Sequence, residues 1–455
     1  MATTQVTSST PVATRRAPWV GLAAGLMLML AAVVVPRLLG WDVHARSEPA
    51  GGVPPLHGLW DVKLFGLGTL PALLLAALGV RYAIPLAERL RWRTLLLVSY
   101  AAGLAWLLAL ALVDGESGIT RVPAHGYEYL VTARNVDDVP AMLAEFTDRI
   151  PASHPRNWVT HVAGHPPGAL LFFVALVRVG LGGDLAAGLA ITVVAASTAT
   201  AVLVTLRVLG AETVARRATP FLVLGPAAVF MAVSADAVFA AVGAWGLAVL
   251  AVAATRPTRP ATVAWSGLAG LLLGSCVLLS YGLVLLGPLA VAVLVAARSW
   301  LPLAGAALTA LVPVLTFAGY GFAWWEAYPL LADRYWAGIA ADRPASYWLW
   351  GNLAALFFCA GPLLGAALTN LAGLLAGIRE RADRVMPLLV GGAALAVVLA
   401  DLSRMSKGEV ERIWLPFVPW LLIATGLLPE RWRRWGLGLQ VLTAVAVQQL
   451  LFTSW

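Results

Sequence analysis

The amino-acid sequence predicts an all-α, polytopic membrane protein, and three observations carry that expectation. Sixty per cent of the 455 residues are hydrophobic, only 12% are charged, and the mean hydropathy is +0.83. A soluble globular chain carries about twice that charged fraction. The apolar residues also fall in runs close to the roughly 20 residues that a helix needs to cross a bilayer. Such runs start near residues 18, 63, 93, 184, 218, 236, 263, 282, 300, 347, 385, 412 and 436, which gives about 13 spans.

Taken in order, the first run follows Arg15 and Arg16 and continues past signal-peptide length to Pro36 without a small-residue cleavage pattern. It reads as a spanning helix that starts in the cytoplasm. With the second span it forms an N-terminal pair (residues 1–92) ahead of a larger module (93–455), the whole being a single integral membrane domain. The third span closes at Asp114 and opens a long loop, 114–165. Next comes Pro166 to Gly183, apolar but short and carrying Arg178.

The positive-inside rule decides how that stretch is treated. If it crosses, Arg216/Arg217, Arg256/Arg259, Arg298, Arg379/Arg381/Arg384 and Arg431/Arg433/Arg434 all land outside. If it lies at the interface or re-enters, all of them are cytoplasmic, so a short interfacial or re-entrant helix is expected. The external regions are then 40–62, 114–165, 320–346 and 401–411, with Asp236 at an external turn. In this arrangement the cytoplasmic side holds 18 basic and 5 acidic residues, and the external side 13 basic and 18 acidic. The net charge of +8 is therefore an orientation signal, and nucleic acid is not an expected partner.

Polar chemistry collects outside. All six histidines fall there: His44, His57, His125, His154, His161 and His165. Asp114, at the end of a span, is half desolvated, an environment that can raise a carboxyl pKa and suit it to general-base work. Asp236 is the sole charge between Arg217 and Arg256, and a carboxylate so near hydrocarbon tends to be functional. Lys407 and Arg412 precede a late span with Glu409 and Glu411 between them, and a planar guanidinium can grip a phosphate bidentately. Loop 320–346 offers Trp324, Trp325, Tyr328, Tyr335 and Trp336 with Arg343, a set that suits either sugar stacking or an interfacial belt.

His161 and His165 have the four-residue spacing of two metal ligands on one helical face. Gly164 and the two prolines after His165 argue against a regular helix there, so no metal ligand is assigned. A divalent metal stays open. Cys276 and Cys359 sit in apolar runs and indicate neither disulfide nor metal.

The segments GYEYLVTARNV, NWVTHVAGHPPGALLFF and VSAD resemble the GT-C glycosyltransferases, nearest to the protein O-mannosyltransferases and the lipid A aminoarabinose transferases. The resemblance covers about residues 93–260 and 401–425. It implies a GT-C-like fold, a polyprenyl-phosphate sugar donor, and chemistry on the external face. The family's basic residue before Pro-Pro, near the donor phosphate, matches His165, Pro166 and Pro167. Its later aspartate matches Asp236, and its C-terminal arginine matches Arg412.

In the family's acidic-pair motif, Tyr129, Ala133 and Arg134 fit, but His125 and Gly126 stand where the carboxylates belong. The base must then come from elsewhere, Asp114 first and Glu128 or Glu116 behind it, or the step has been lost. Arg412, Lys407 and His165 are the candidates for the donor phosphate, and His161, Arg343 and Tyr129 for other substrate contacts.

The expected function is sugar transfer from a polyprenyl-phosphate donor to a glycan, lipid or protein acceptor, by an enzyme in contact with membrane lipid. Only two lysines beside abundant Ala, Leu and Arg suggest a high-GC genome, hence a bacterial inner membrane. The rival reading is a transporter or flippase for an envelope substrate. It would place charges at mid-membrane on broken helices and often show an inverted repeat. A scaffold that has lost catalysis is the third.

Overall fold

The computed structural model describes residues 13–46, 52–375 and 381–453. Arg379, and the side chains of Arg15 and Arg381, fall outside the described residues. Helices dominate, as the apolar runs require, since a chain in hydrocarbon must satisfy its backbone polar groups internally. Among the described residues eight helices are long and apolar enough to cross a membrane, or nine if one bent pair counts as a span. The expected number was about 13. The difference lies mostly in runs the chain breaks up: Glu212–Leu224 stops before Gly225 and Pro226, Tyr281–Leu286 is a tight 3-10 turn leading into Gly287–Ala297, and residues 410–427 form three short pieces. The last run is a full helix, Glu430–Leu450, whose first turn is too basic to count as apolar.

The Ala235–Ala254 helix is the centre of the bundle. Seventeen of its 20 residues are buried, most of them Ala or Gly, and small side chains let neighbouring backbones approach. It packs on Asp184–Val208, on Arg259–Leu279 and on Gly287–Ala297. The Leu301–Gly319 helix is peripheral, with only Pro302 and Ala306 buried, while Leu308, Leu311, Val312 and Leu315 face outward. Thr69–Arg89 likewise turns Leu70, Leu73, Leu74 and Leu78 away from the protein. An apolar exterior on an apolar core is a membrane protein's surface.

The helices run between two ends. At one end Arg216 donates to the carbonyls of Ala87 and Leu90, Arg433 pairs with Glu88 at 2.9 Å, and Arg298 and Arg384 line a common cleft. At the other lie all six histidines; this is the histidine end. The Pro167–Arg178 helix is only 12 residues, about 18 Å, too short to span. Gly168 at its start touches Leu278, Arg178 at its end donates to Asp137, and the following Asp184–Val208 helix starts against Ile119 and Val233. Both of its flanks thus stay at the histidine end.

The bent pair is Ala345–Ala360 and Leu363–Leu374, turned by 100° at Gly361 and Pro362. Gly361 holds φ +82°, a conformation only glycine adopts without strain. Gln440 repairs the break by donating to the Ala360 carbonyl and accepting from Leu363 N–H. One small sheet pairs Gly58–Trp60 antiparallel with Leu451–Thr453. It stitches loop 40–62 to the end of the last helix and has no periodic signature in the sequence.

Candidate functional site

Four chain segments converge at the histidine end. The loop before Tyr129 carries Glu128, the short Thr160–Gly164 helix carries His161, the first turn of Ala235–Ala254 carries Asp236, and Val410–Ile413 carries Arg412. Together with Tyr129, Ser234, Ala235 and Val122 they line a cavity of about 10 Å3, room for about one water molecule.

Asp236 is placed by its helix. The first turn of a helix presents unpaired N–H groups and a partial positive charge, which stabilises a carboxylate. Arg412 meets it there, Nη1 to Oδ2 at 2.5 Å, and its Nη2 contacts Glu409 at 2.7 Å. Both Arg412 and Asp236 are almost fully buried. Burial alone would lower the Arg412 pKa, but Asp236, Glu409 and Glu128 outweigh it and hold the guanidinium firmly charged. Glu409 in turn lies near Arg343 and His57. Burial pushes its pKa up, yet Arg412 first, with Arg343 beside it, keeps it well below the usual carboxylate range.

Glu128 and His161 form the second pair, Oε1 to Nδ1 at 2.8 Å. Burial would raise the Glu128 pKa, but His161 and then Arg412 lower it on balance, so the carboxylate stays ionised. Tyr129 stacks on Phe173 with ring centroids 5.0 Å apart, and its hydroxyl meets His165 Nδ1 at 2.8 Å. Burial lowers the His165 pKa and raises that of Tyr129, so both rings are neutral near pH 7.

Backbone strain borders the cavity. Val233 holds φ 56° and Glu409 φ 61°, left-handed values that L residues avoid, and for a β-branched valine a real outlier. Such residues cluster at functional sites, where the surroundings enforce them.

Of the residues singled out in the sequence, Asp236, Glu128, His161, Tyr129 and Arg412 meet here, with His165 directly behind Tyr129. Three others lie elsewhere. Asp114 pairs with Lys63 at 2.8 Å, lies 3.9 Å from Arg121, and accepts from Gln448. It shares no hydrogen bond or ion pair with the cavity residues. Lys407 donates to the carbonyls of Ala340 and Arg343 and lies over the Trp336 ring. Arg343 donates to the carbonyls of His44, Ala45 and Lys407. These two cations face loop carbonyls because a buried irregular backbone leaves oxygens that no helix satisfies. They splice loops 40–62, 320–346 and 401–411 together, and neither lines the Asp236 cavity where phosphate and substrate contacts were expected of them. His165 is likewise a neutral ring engaged with Tyr129 and the His161 carbonyl, and supplies no cation for a phosphate.

Glu409 was visible in the sequence only as a charge beside Arg412, although the three-residue spacing on a short helix was the available signal. Its neighbour Glu411 is also buried, with Oε1 accepting His57 N–H at 2.8 Å. His161 and His165 do not share a helical face. The helix ends at Gly164, and His165 is extended before the prolines. Among the described residues no three His, Cys, Asp or Glu side chains are placed to hold a metal ion. No protein-family model, no curated protein and no solved structure matches this chain.

Proposed function

We propose that this chain is a glycosyltransferase of a bacterial inner membrane, with its N-terminus in the cytoplasm. In this reading it moves a sugar from a polyprenyl-phosphate donor to a glycan, lipid or protein acceptor at the histidine end, which faces outward. One observation carries the reading. Glu128–His161 and Asp236–Arg412, drawn from segments far apart in sequence, form a buried acid–base pair and a buried anchored cation around one cavity.

The geometry supports the following roles. The acceptor hydroxyl gives its proton to the Glu128–His161 pair, and its oxygen bonds to the sugar's anomeric carbon. The bond from that carbon to the phosphate oxygen breaks, and its electron pair leaves on the lipid phosphate. Arg412 holds that developing charge, and Asp236 and Glu409 fix the guanidinium for it as positioning residues. The present cavity holds about one water, so a sugar enters only as the loops around Val233 and Glu409 part.

A transporter would carry charge at mid-membrane on a broken helix. The broken pair at Gly361 is met by neutral Gln440, which favours the enzyme. The deciding experiment is transfer of radiolabelled sugar from candidate polyprenyl-phosphate donors in membranes, comparing wild type with Glu128→Gln and Arg412→Ala. Transfer at the wild-type rate by both variants would sink the assignment.

A further inference from the structure

At the end opposite the histidines a groove of about 1220 Å3 opens between the Thr69–Arg89 and Glu430–Leu450 helices. Its walls are apolar over most of their length, Leu73, Val80 and Ile84 facing Val441, Leu442 and Val445. From Arg89 to Leu73 one wall runs about 24 Å at the helical rise, more than the roughly 15 Å of a single hydrocarbon leaflet.

Two of its cations are unusual. Arg81 lines the groove about 12 Å in from the Arg89 end of an otherwise apolar span. Among the described residues it makes no hydrogen bond or ion pair, and its recorded contact is the neighbouring Tyr82 ring, 5.2 Å away. Arg89, at the mouth, also has no ion pair among them. The adjacent arginines differ: Arg433 is held by Glu88 and Arg434 by Glu430. An arginine inside a span is costly unless it snorkels or meets an anion, and the two carboxylates that line this groove, Glu88 and Glu430, are paired with Arg433 and Arg434.

We propose that the groove binds an anionic phospholipid, its phosphate between Arg81 and Arg89 and an acyl chain along the apolar walls. Charge complementarity selects this occupant: Arg81 and Arg89 stand without an ion pair among the described residues, the carboxylates Glu88 and Glu430 are held by other arginines, and the walls beyond them are apolar. The site is remote from the Asp236 cavity and does not depend on the sugar-transfer reading.

The test is native mass spectrometry of the full chain released from detergent with phosphatidylglycerol or phosphatidylcholine of matched acyl chains. Wild type is expected to retain phosphatidylglycerol preferentially. An arginine near an anionic lipid surface contributes about 1 kcal/mol, so R81Q and R89Q should each weaken that retention about five-fold and leave phosphatidylcholine unchanged. A side chain at Gly438 meets no protein atom within 4 Å. G438L therefore grows into the groove and should lower retention of both lipids. Equal retention of the two lipids by wild type, or wild-type retention by R81Q and R89Q, overturns the proposal. So does undiminished retention by G438L.

Discussion

Asp114 and Asp236 lie at the same end of the molecule, at helix ends, and their surroundings are opposite. Asp114 follows the last turn of the Trp92–Ala111 helix, where the carbonyls make a partly negative end that disfavours a carboxylate. The structure offsets this with Lys63, Arg121 and Gln448, which also tie down the strand Leu451–Thr453, since Lys63 donates to Leu451 and Arg121 to Thr453. Asp236 sits in a first turn, where the helix itself favours the charge, and its single strong partner is Arg412. The first carboxylate is consumed in holding the chain ends together, while the second shares a cation beside a cavity. A carboxylate at a span's end is thus ambiguous until the helix end is known.

The largest test of this contrast is Arg412→Ala. It leaves Asp236 buried without its cation and Glu409 with the more distant Arg343, and the loss of a buried partner costs about 3–5 kcal/mol. Thermal unfolding in detergent should show a large drop, and sugar transfer should vanish. Next is Asp236→Asn, which keeps Glu409 on Arg412. Transfer is expected to fall about 100-fold, as when a charge-stabilising group is lost, with expression intact. Transfer at the wild-type rate by this variant would remove Asp236 from the site.

Glu411 adds a pH dependence. Burial pushes its pKa up to about 7, with the His57 N–H bond opposing. Folded Glu411 keeps its proton between the ordinary value of 4.5 and about 7, whereas the unfolded chain has lost it, so stability should decline as pH rises across that window. The decline amounts to at most about 3 kcal/mol, and Glu411→Gln should flatten the curve of melting temperature against pH. Glu128 works the other way. Its pKa is lowered in the fold, so its stabilisation is present above 4.5 and fades as pH falls further, a loss that Glu128→Gln should abolish.

The smallest effect on transfer is reserved for Asp114→Asn. Its ion pair with Lys63 is mostly buried, but asparagine keeps the side chain's shape and a hydrogen-bonding oxygen, so a loss of about 1–3 kcal/mol is expected and transfer should be unchanged. Loss of transfer in a folded Asp114→Asn protein would erase the distinction between the two carboxylates.

Much of this was legible without coordinates. Apolar run length and the sorting of arginines announced a helical membrane protein with two chemically different ends, because hydrocarbon tolerates few other chains. The short Pro166–Gly183 stretch was recognisable from charge sorting alone. The span count was not, since breaks at Gly225 and Gly361 and the 3-10 turn at Tyr281 leave the local composition apolar. The small sheet escaped for a related reason: three-residue strands carry no periodicity.

Asp236 stood out by its isolation and His161 by its spacing from His165, whereas Tyr129, His165 and Arg412 were placed by the family resemblance and Glu128 stood behind Asp114 as the base. Composition could not show which cation meets which anion. Lys407, Arg343 and Arg412 look equivalent as basic residues beside one membrane surface. Packing gives Lys407 to loop carbonyls, Arg343 to loop carbonyls with Glu409 nearby, and Arg412 to two carboxylates, because partners are set by distances between segments up to 299 residues apart. Sequence by itself determined that the histidines and most carboxylates gather at one end and the arginine clusters at the other, through the cost of placing charge in hydrocarbon. Only the tertiary structure decided which of them face one another.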